Sequence, residues 1–323
     1  MFAYSFLQWL LFFYLYSLIG WCFESVYVSI KKRRLINRGF IRGPFLPLYG
    51  SGAIVMLFVS RPFSDQILYL FLAGMIGATL LEYITGVLME SLFKVRYWDY
   101  SNLKFNYQGQ VCLSSSIAWG GLTVLMTRVI HQPIERFVLT LDQTYLSVLA
   151  TILTILIAVD FALSFRAALD LRDILIRMEH AKEELFRMQK RLDVMIAVLD
   201  NTKNGIANEI GQKKDLILEK NELWRQTNLI KTEDLYNGIE DRLSNLKKAI
   251  QEKPGMYVEN VRDEIAEIRG SFGSHIDKIR QAGSLFDFHK RNLILGNPTM
   301  KSKKYNLLLE ELKKEIESRR KKK

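Results

Sequence analysis

Apolar positions dominate five stretches in the first half of the chain: Tyr4–Ile30, Leu46–Ser60, Ile67–Phe93, Val111–Ile130 and Leu146–Phe165. A helix that crosses the hydrocarbon core needs about 20 mostly apolar residues. Four of the stretches reach that length. Leu46–Ser60 is short and follows the Pro- and Gly-rich start "GPFLPLYG", so a tilted, broken or partly re-entrant span is expected there. Beyond residue 165 the apolar positions thin to steps of 3 and 4. One seam runs through Leu185, Met188, Leu192, Met195 and Leu199. A second uses Leu235, Ile239, Leu243, Leu246 and Ile250, and a third Val258, Val261, Ile265, Ile268, Phe272, Ile276 and Ile279. Such seams on charged surfaces mark helices that pack on one another. Breaks fall at Asn204–Gly205 and at Pro254. The pattern predicts an all-α fold: a polytopic α-helical membrane bundle of about five spans, followed by a cytoplasmic helical coiled-coil region. The expected domains are a transmembrane part at 1–165, coiled-coil helices at 166–281 and a basic helical tail at 282–323.

Charge sets the orientation. Of 45 Lys and Arg and 34 Asp and Glu in the 323 residues, only 12 and 8 lie before residue 166. The loop 31–43 holds Lys31, Lys32, Arg33, Arg34, Arg38 and Arg42, and the loop 94–110 holds Lys94, Arg96 and Lys104. The alternate loops are poorer, with Arg61 in one and Arg128 and Arg136 in the other. Basic loops stay on the cytoplasmic side. The N-terminus is therefore expected outside and the charged half inside.

Ionisable groups inside a span are costly, and each is a candidate for function. At a rise of about 1.5 Å per residue, Glu24 lies about 9 Å to the cytoplasmic side of the middle of its span. Glu82 falls just past the middle of span three, Glu90 near its inner end, and Asp160 in the inner half of span five. Gly74, Ala78 and Gly86 join Glu82 in steps of four, a spacing at which small residues let another helix approach. Ser115, within "CLSSSIAWG", reaches the same depth, although such serines also bond their own helix backbone. In "NRGFIRGP", Gly39 and Gly43 permit tight turns. Arg38 and Arg42 are placed to fold back onto Glu24 or Glu90, or simply to add to the positive-inside count. Pooled, these residues describe a polar pocket in the inner leaflet.

Two blocks carry a family resemblance. "GWCFESVYVSIKKRRLINRGFIRGPFLPLYGSGAI" and "LEYITGVLMESLFKVRYWDYSNLKFNYQGQVCLSSSIAWG" together resemble the signatures of the bacterial putative ABC-transporter type IV (CmpB-like permease) family, over about residues 4–165. The tail "HKRNLILGNPTMKSKKYNLLLEELKK" is more weakly similar to the C-terminal end of longer members. The resemblance implies a multi-pass protein of the bacterial plasma membrane with a permease role. It directs attention to Gly20, Trp21, Glu24, Arg38, Gly39, Gly43, Pro44, Tyr49, Gly50, Glu82, Gly86, Glu90, Trp98, Asp99, Tyr100, Asn106, Gly109 and Trp119. "RYWDYS" has Tyr97 where the family pattern has a first Trp.

The candidate substrate or ion pocket is thus Glu24, Arg38, Arg42, Glu82, Glu90, Asp160, Asn106 and Ser115. No catalytic or metal-binding residues and no cofactor are expected. The chain lacks the G-x-x-x-x-G-K-[ST] phosphate loop, so ATP-driven work would need a separate ATPase subunit. The lipid bilayer is the expected partner, with a homodimer through the coiled coil as a further expectation and no nucleic acid. A non-transporting scaffold or sensor acting through the helical half is the alternative. A lipid-directed enzyme has no nucleophile–base pair to support it.

Overall fold

The computed structural model describes residues 4–63, 65–201, 230–252, 263, 265–272 and 288–321. The described residues are almost entirely helical. Helix α1 (Phe6–Lys32) starts at Ser5, whose hydroxyl accepts from the Gln8 amide while Gln8 returns its side chain to the Ser5 amide. This reciprocal box satisfies two donors that a helix start leaves free. The helix ends at Arg33, which turns left-handed at φ 50°. Helix α2 (Pro47–Ser60) places proline in the first turn, where its missing N–H costs nothing. Helix α3 (Ile67–Phe93) ends at left-handed Lys94. A two-residue hairpin pairs β1 (Asn106–Tyr107) with antiparallel β2 (Val111–Cys112). Helix α4 (Leu113–Leu125) then runs through a π turn (Met126–Ile130) into α5 (His131–Thr140), and α6 covers Gln143–Asn201.

Among the described residues, four helical stretches are long and apolar enough to cross a membrane: Phe6–Lys32, Ile67–Phe93, Leu113–Thr140 and Gln143–Ile196. With α2, whose 14 residues rise only about 21 Å, as the short, partly re-entrant piece, they make up the helical bundle of about five spans. The fourth stretch of the sequence also runs ten residues past the expected Ile130, because the π turn joins α5 to α4. Arg128 and Arg136, read as loop residues, therefore lie in helical chain.

The chain divides into two compact units. The first is Met1–Arg172 together with Asp287–Lys304; the second is Asp173–Phe286 together with Tyr305–Lys323. The expected tail 282–323 is thus shared between them. In the first unit, Leu11, Phe12 and Tyr16 of α1 pack with Ala53 and Met56 of α2, Ala78 of α3, Met126, Val138 and Leu146. The ladder Leu70, Gly74, Ala78, Glu82 and Gly86 is the buried face of α3. A methyl on Gly74 would overlap the Thr123 side chain of α4, which explains why a glycine stands at that crossing.

In the second unit, Leu185, Met188, Leu192 and Met195 of α6 pack with Ile239 and Leu246 of α7 (Thr232–Glu252) and with Ile268 and Phe272 of a helical segment at 265–272. The side chains of Leu199, Ile250, Val258, Val261, Ile276 and Ile279, and the breaks at Asn204–Gly205 and Pro254, lie outside the described residues. Two further helices complete the description: α8 (Phe288–Gly296) in the first unit and α9 (Asn306–Lys321) in the second.

Candidate functional site

Residues 33–46 leave the end of α1 and run back along it without helical structure. Four residues of α1, spaced four apart on one face, receive them. The Ile36 amide donates to Ser29 Oγ at 2.9 Å, and the Arg38 amide to Ser25 Oγ at 3.1 Å. Trp21 Nε1 donates to Asn37 Oδ1 at 2.6 Å, and the Leu46 amide to the Ser17 carbonyl at 2.9 Å. From Asp160 on α6, the carboxylate accepts from the amides of Arg42 (3.2 Å) and Gly43 (2.6 Å). Irregular backbone at membrane depth survives only where protein satisfies its polar groups, and this ladder does so. Ser17 lies near the middle of α1, so α2 starts about halfway through the bundle. Its first turn packs tightly: a methyl on Gly20 would strike Tyr49, and one on Gly50 would strike Ser17 and Phe13.

Arg38 sits where the re-entrant segment meets a chain end from far away. Its Nη1 donates to Asn297 Oδ1 at 2.7 Å, and its Nη2 to Thr299 Oγ1 and the Tyr97 carbonyl, both at 3.3 Å. Asn297 in turn donates to the Gly39 carbonyl at 2.8 Å. The chain beyond Asn297 continues as a strand-like strap. Arg96 and Lys301 exchange both backbone hydrogen bonds, Ser302 Oγ donates to the Lys94 carbonyl, and Lys301 pairs with Asp99 at 2.9 Å. Burial acts to raise the Asp99 pKa, but the Ser101 hydroxyl, Lys301 and the Ser101 amide outweigh it and hold the carboxyl at about 2.

Arg38 thus spends its hydrogen bonds on Asn297, Thr299 and Tyr97, while Glu24 acts on it electrostatically without a hydrogen bond. Glu24 accepts from the Tyr49 hydroxyl at 3.2 Å. Glu24 and Arg38 nevertheless line one cavity of about 230 Å³, with Tyr49, Tyr97, Trp98 and Asn297 among its walls. Arg42 presents its amide to Asp160, and these two line a separate cavity of about 370 Å³ with Pro44, Phe45, Leu156 and Ile157. Glu90 binds Arg96 (2.8 Å), Gln110 (2.5 Å) and Lys303 (3.4 Å). Glu82 accepts from Tyr100 (3.0 Å), Trp119 (3.0 Å) and Ser115 (3.4 Å). Asn106 closes the hairpin turn, donating to the carbonyls of Ser101 and Leu103 and accepting from the Gly109 amide. The eight candidates thus fall into several settings rather than one pocket, because each acid finds donors on its nearest neighbours. Tyr49 links two of the settings: it holds Glu24, and its ring meets Trp119 edge-on at 5.8 Å between centroids.

Three features carry roles that the sequence reading does not assign. The α1 stripe of Ser17, Trp21, Ser25 and Ser29 is legible there as polar positions at helical spacing. Buried Arg96, the partner of Glu90, reads in the sequence only as a loop charge. At the opposite end of α1, buried His131 is held between Tyr4 (Nε2, 3.2 Å) and Tyr16 (Nδ1, 2.7 Å), and Tyr4 also donates to Glu135. Among the described residues no cluster of His, Cys, Asp and Glu is placed to hold a metal ion.

Comparison with known proteins bears on the same region. Residues 11–165 match the family model described as putative ABC-transporter type IV. The match spans residues 33–46, α2 and most of α1, and supports a transporter-related role in a membrane. No curated protein and no solved structure matches the chain.

Proposed function

We propose that the transporter-related role attached to residues 11–165 is that of a permease whose substrate pocket is the cavity between Glu24 and Arg38. The observation that carries this reading is the re-entrant segment 33–46. A non-helical chain, laid along α1 by side-chain hydrogen bonds, brings a guanidinium and a carboxylate to one cavity and starts a half-length helix beside it. Broken helices that meet at mid-bundle are how many transporters build polar sites in lipid. The protein has its N-terminus outside and its basic loops inside, in a bacterial plasma membrane. Downhill release runs through this chain alone, a separate ATPase subunit drives uphill movement, and the chain carries no catalytic function of its own and pairs through its helical half.

The test is solute retention in reconstituted vesicles loaded with a mixed pool of small metabolites and read by mass spectrometry. The wild-type chain should release at least one solute that Arg38→Gln and Glu24→Gln retain. Identical retention in all three would end the permease reading. For orientation, Leu35, 94 % exposed at the end of α1, gives a clean position: cysteine there should resist an impermeant reagent in intact cells.

A scaffold or sensor is favoured by one observation. The segment of the first unit that carries the strap is bounded on both sides in sequence by residues of the second unit. A signal received there reaches the cavity along the chain. Strap release without solute movement would support that second reading.

A further inference from the structure

A different cavity, of about 510 Å³, opens between α1 and α4 with α2 as its back wall. Tyr16, Ala53 and Met56 form its buried interior. Ile19 and Phe23 on α1 and Leu125 on α4 line it and are 42 %, 66 % and 48 % exposed, and Ala118 beside them is exposed too. These helices belong to stretches long and apolar enough to cross a membrane, so in a bilayer that opening meets acyl chains. The volume suits a small-molecule site. An apolar void of this size forfeits dispersion contacts unless hydrocarbon fills it.

One end of the crevice is polar, and its hydrogen bonds fix what it accepts. Tyr49 gives its proton to Glu24 at 3.2 Å, and Tyr100 gives its own to Glu82 at 3.0 Å. Ser115 shares its one proton between the Cys112 carbonyl at 2.9 Å and Glu82 at 3.4 Å, and accepts from the Cys112 amide at 3.3 Å. A hydroxyl has one proton and two lone pairs. With their protons committed to the groups behind, Tyr49 and Tyr100 have only lone pairs left for the crevice, and Ser115, which takes the Cys112 amide on one lone pair, has the other. A ligand end that donates is satisfied there, whereas one that only accepts is buried without a partner. We infer that the crevice holds the chain of a long-chain amphiphile whose polar end is a hydrogen-bond donor, an ammonium or a hydroxyl, and that it rejects carboxylate and phosphate ends. This site is distinct from the Glu24–Arg38 cavity and needs no transport to exist.

Trp119 lines the crevice and reports on it. The full chain, with Trp9, Trp21, Trp98 and Trp224 replaced by Phe, is placed in lipid nanodiscs and titrated with dibrominated octadecyl chains ending in amine, alcohol or carboxylate. Amine and alcohol should quench Trp119 at concentrations about tenfold lower than carboxylate. Ala118→Phe, which fills the opening, should erase that preference. Equal quenching by all three ends, or an unchanged preference in Ala118→Phe, overturns the inference. If the four replacements prevent folding, native mass spectrometry of the otherwise unaltered chain and Ala118→Phe decides it: the amine should be retained by the first alone, and retention by both or by neither overturns the inference. Neither readout measures flux, so this inference and the permease reading stand or fall separately.

Discussion

The Arg38 guanidinium and the Asn297 carboxamide, 259 positions apart in the chain, meet at 2.7 Å. The same carboxamide donates to the Gly39 carbonyl beside that arginine and to the Leu293 carbonyl four residues before it. One side chain near the end of the chain therefore holds both the charge and the backbone of the re-entrant segment near its beginning.

Removing either partner should be costly. Asn297→Ala leaves the guanidinium short of an acceptor, and a hydrogen bond to a charged group is worth about 1.5–3 kcal/mol. Arg38→Gln should cost a similar amount, and the double variant clearly less than the sum. Chemical unfolding in detergent measures all three. Additive losses would show that the two residues act independently. Glu24→Gln combined with Arg38→Gln, which share a cavity and act on each other electrostatically without a hydrogen bond, should depart from additivity less than the Arg38–Asn297 pair.

The strap should loosen in acid. The Asp99 carboxyl is held at about 2 in the folded protein, against an ordinary 3.8. A depressed folded value means that the undocked state binds the proton more readily. The contribution is complete above about pH 4 and disappears as pH falls through about 2. Limited proteolysis between residues 297 and 304 should reveal protection that holds at pH 5 and weakens between pH 4 and 2. Asp99→Asn should bring the loosened pattern to pH 7. Unaltered protection at pH 2 in the parent chain would contradict the role given to Asp99.

Glu82 is surrounded by donors, from Tyr100, Trp119 and Ser115. Glu82→Gln turns an amide toward groups that need an acceptor, so a loss of about 2–3 kcal/mol is expected, against about 1 kcal/mol for Ser115→Ala. Denaturant titration followed by Trp fluorescence gives both values. Equal losses would mean that the carboxylate is no better an acceptor than the amide.

In the second unit, Lys182 is 1 % exposed and its ammonium makes no hydrogen bond among the described residues. Glu311 acts on it electrostatically but spends its oxygens on Thr232. Lys182→Met keeps the stem and removes the unsatisfied group, so it should stabilise the unit by about 1–3 kcal/mol. Thermal melting followed by circular dichroism tests this; a lower midpoint would show that the charge is needed.

Much of the scaffold is readable in the sequence. Long apolar runs become helices, the steps of four on α3 become its buried face, and parts of all three seams meet in one cluster. Periodicity works there because each helix decides locally which side it hides. The candidate site is less legible. Arg38 looks like a partner for Glu24 because depth and charge are the only coordinates a sequence offers. Two of its actual partners lie beyond residue 296, and no local pattern encodes a contact across that separation. Asp160 looks like a pocket acid, yet it secures two backbone amides, a task invisible without the turn at Gly43. The start of α2 at mid-bundle is hinted at by "GPFLPLYG", but its depth follows from the single bond between Leu46 and Ser17.

The polar stripe of α1 also dictates an order of assembly. Segment 33–46 offers bare amides to hydrocarbon until Ser17, Ser25 and Ser29 receive them, and α2 alone is too short to partition as an independent span. Neither piece can precede α1 into the bilayer or enter without it. The three are therefore stable in lipid only as one bonded unit. Damage to the inner face of the first helix would therefore first appear as failed insertion of the second.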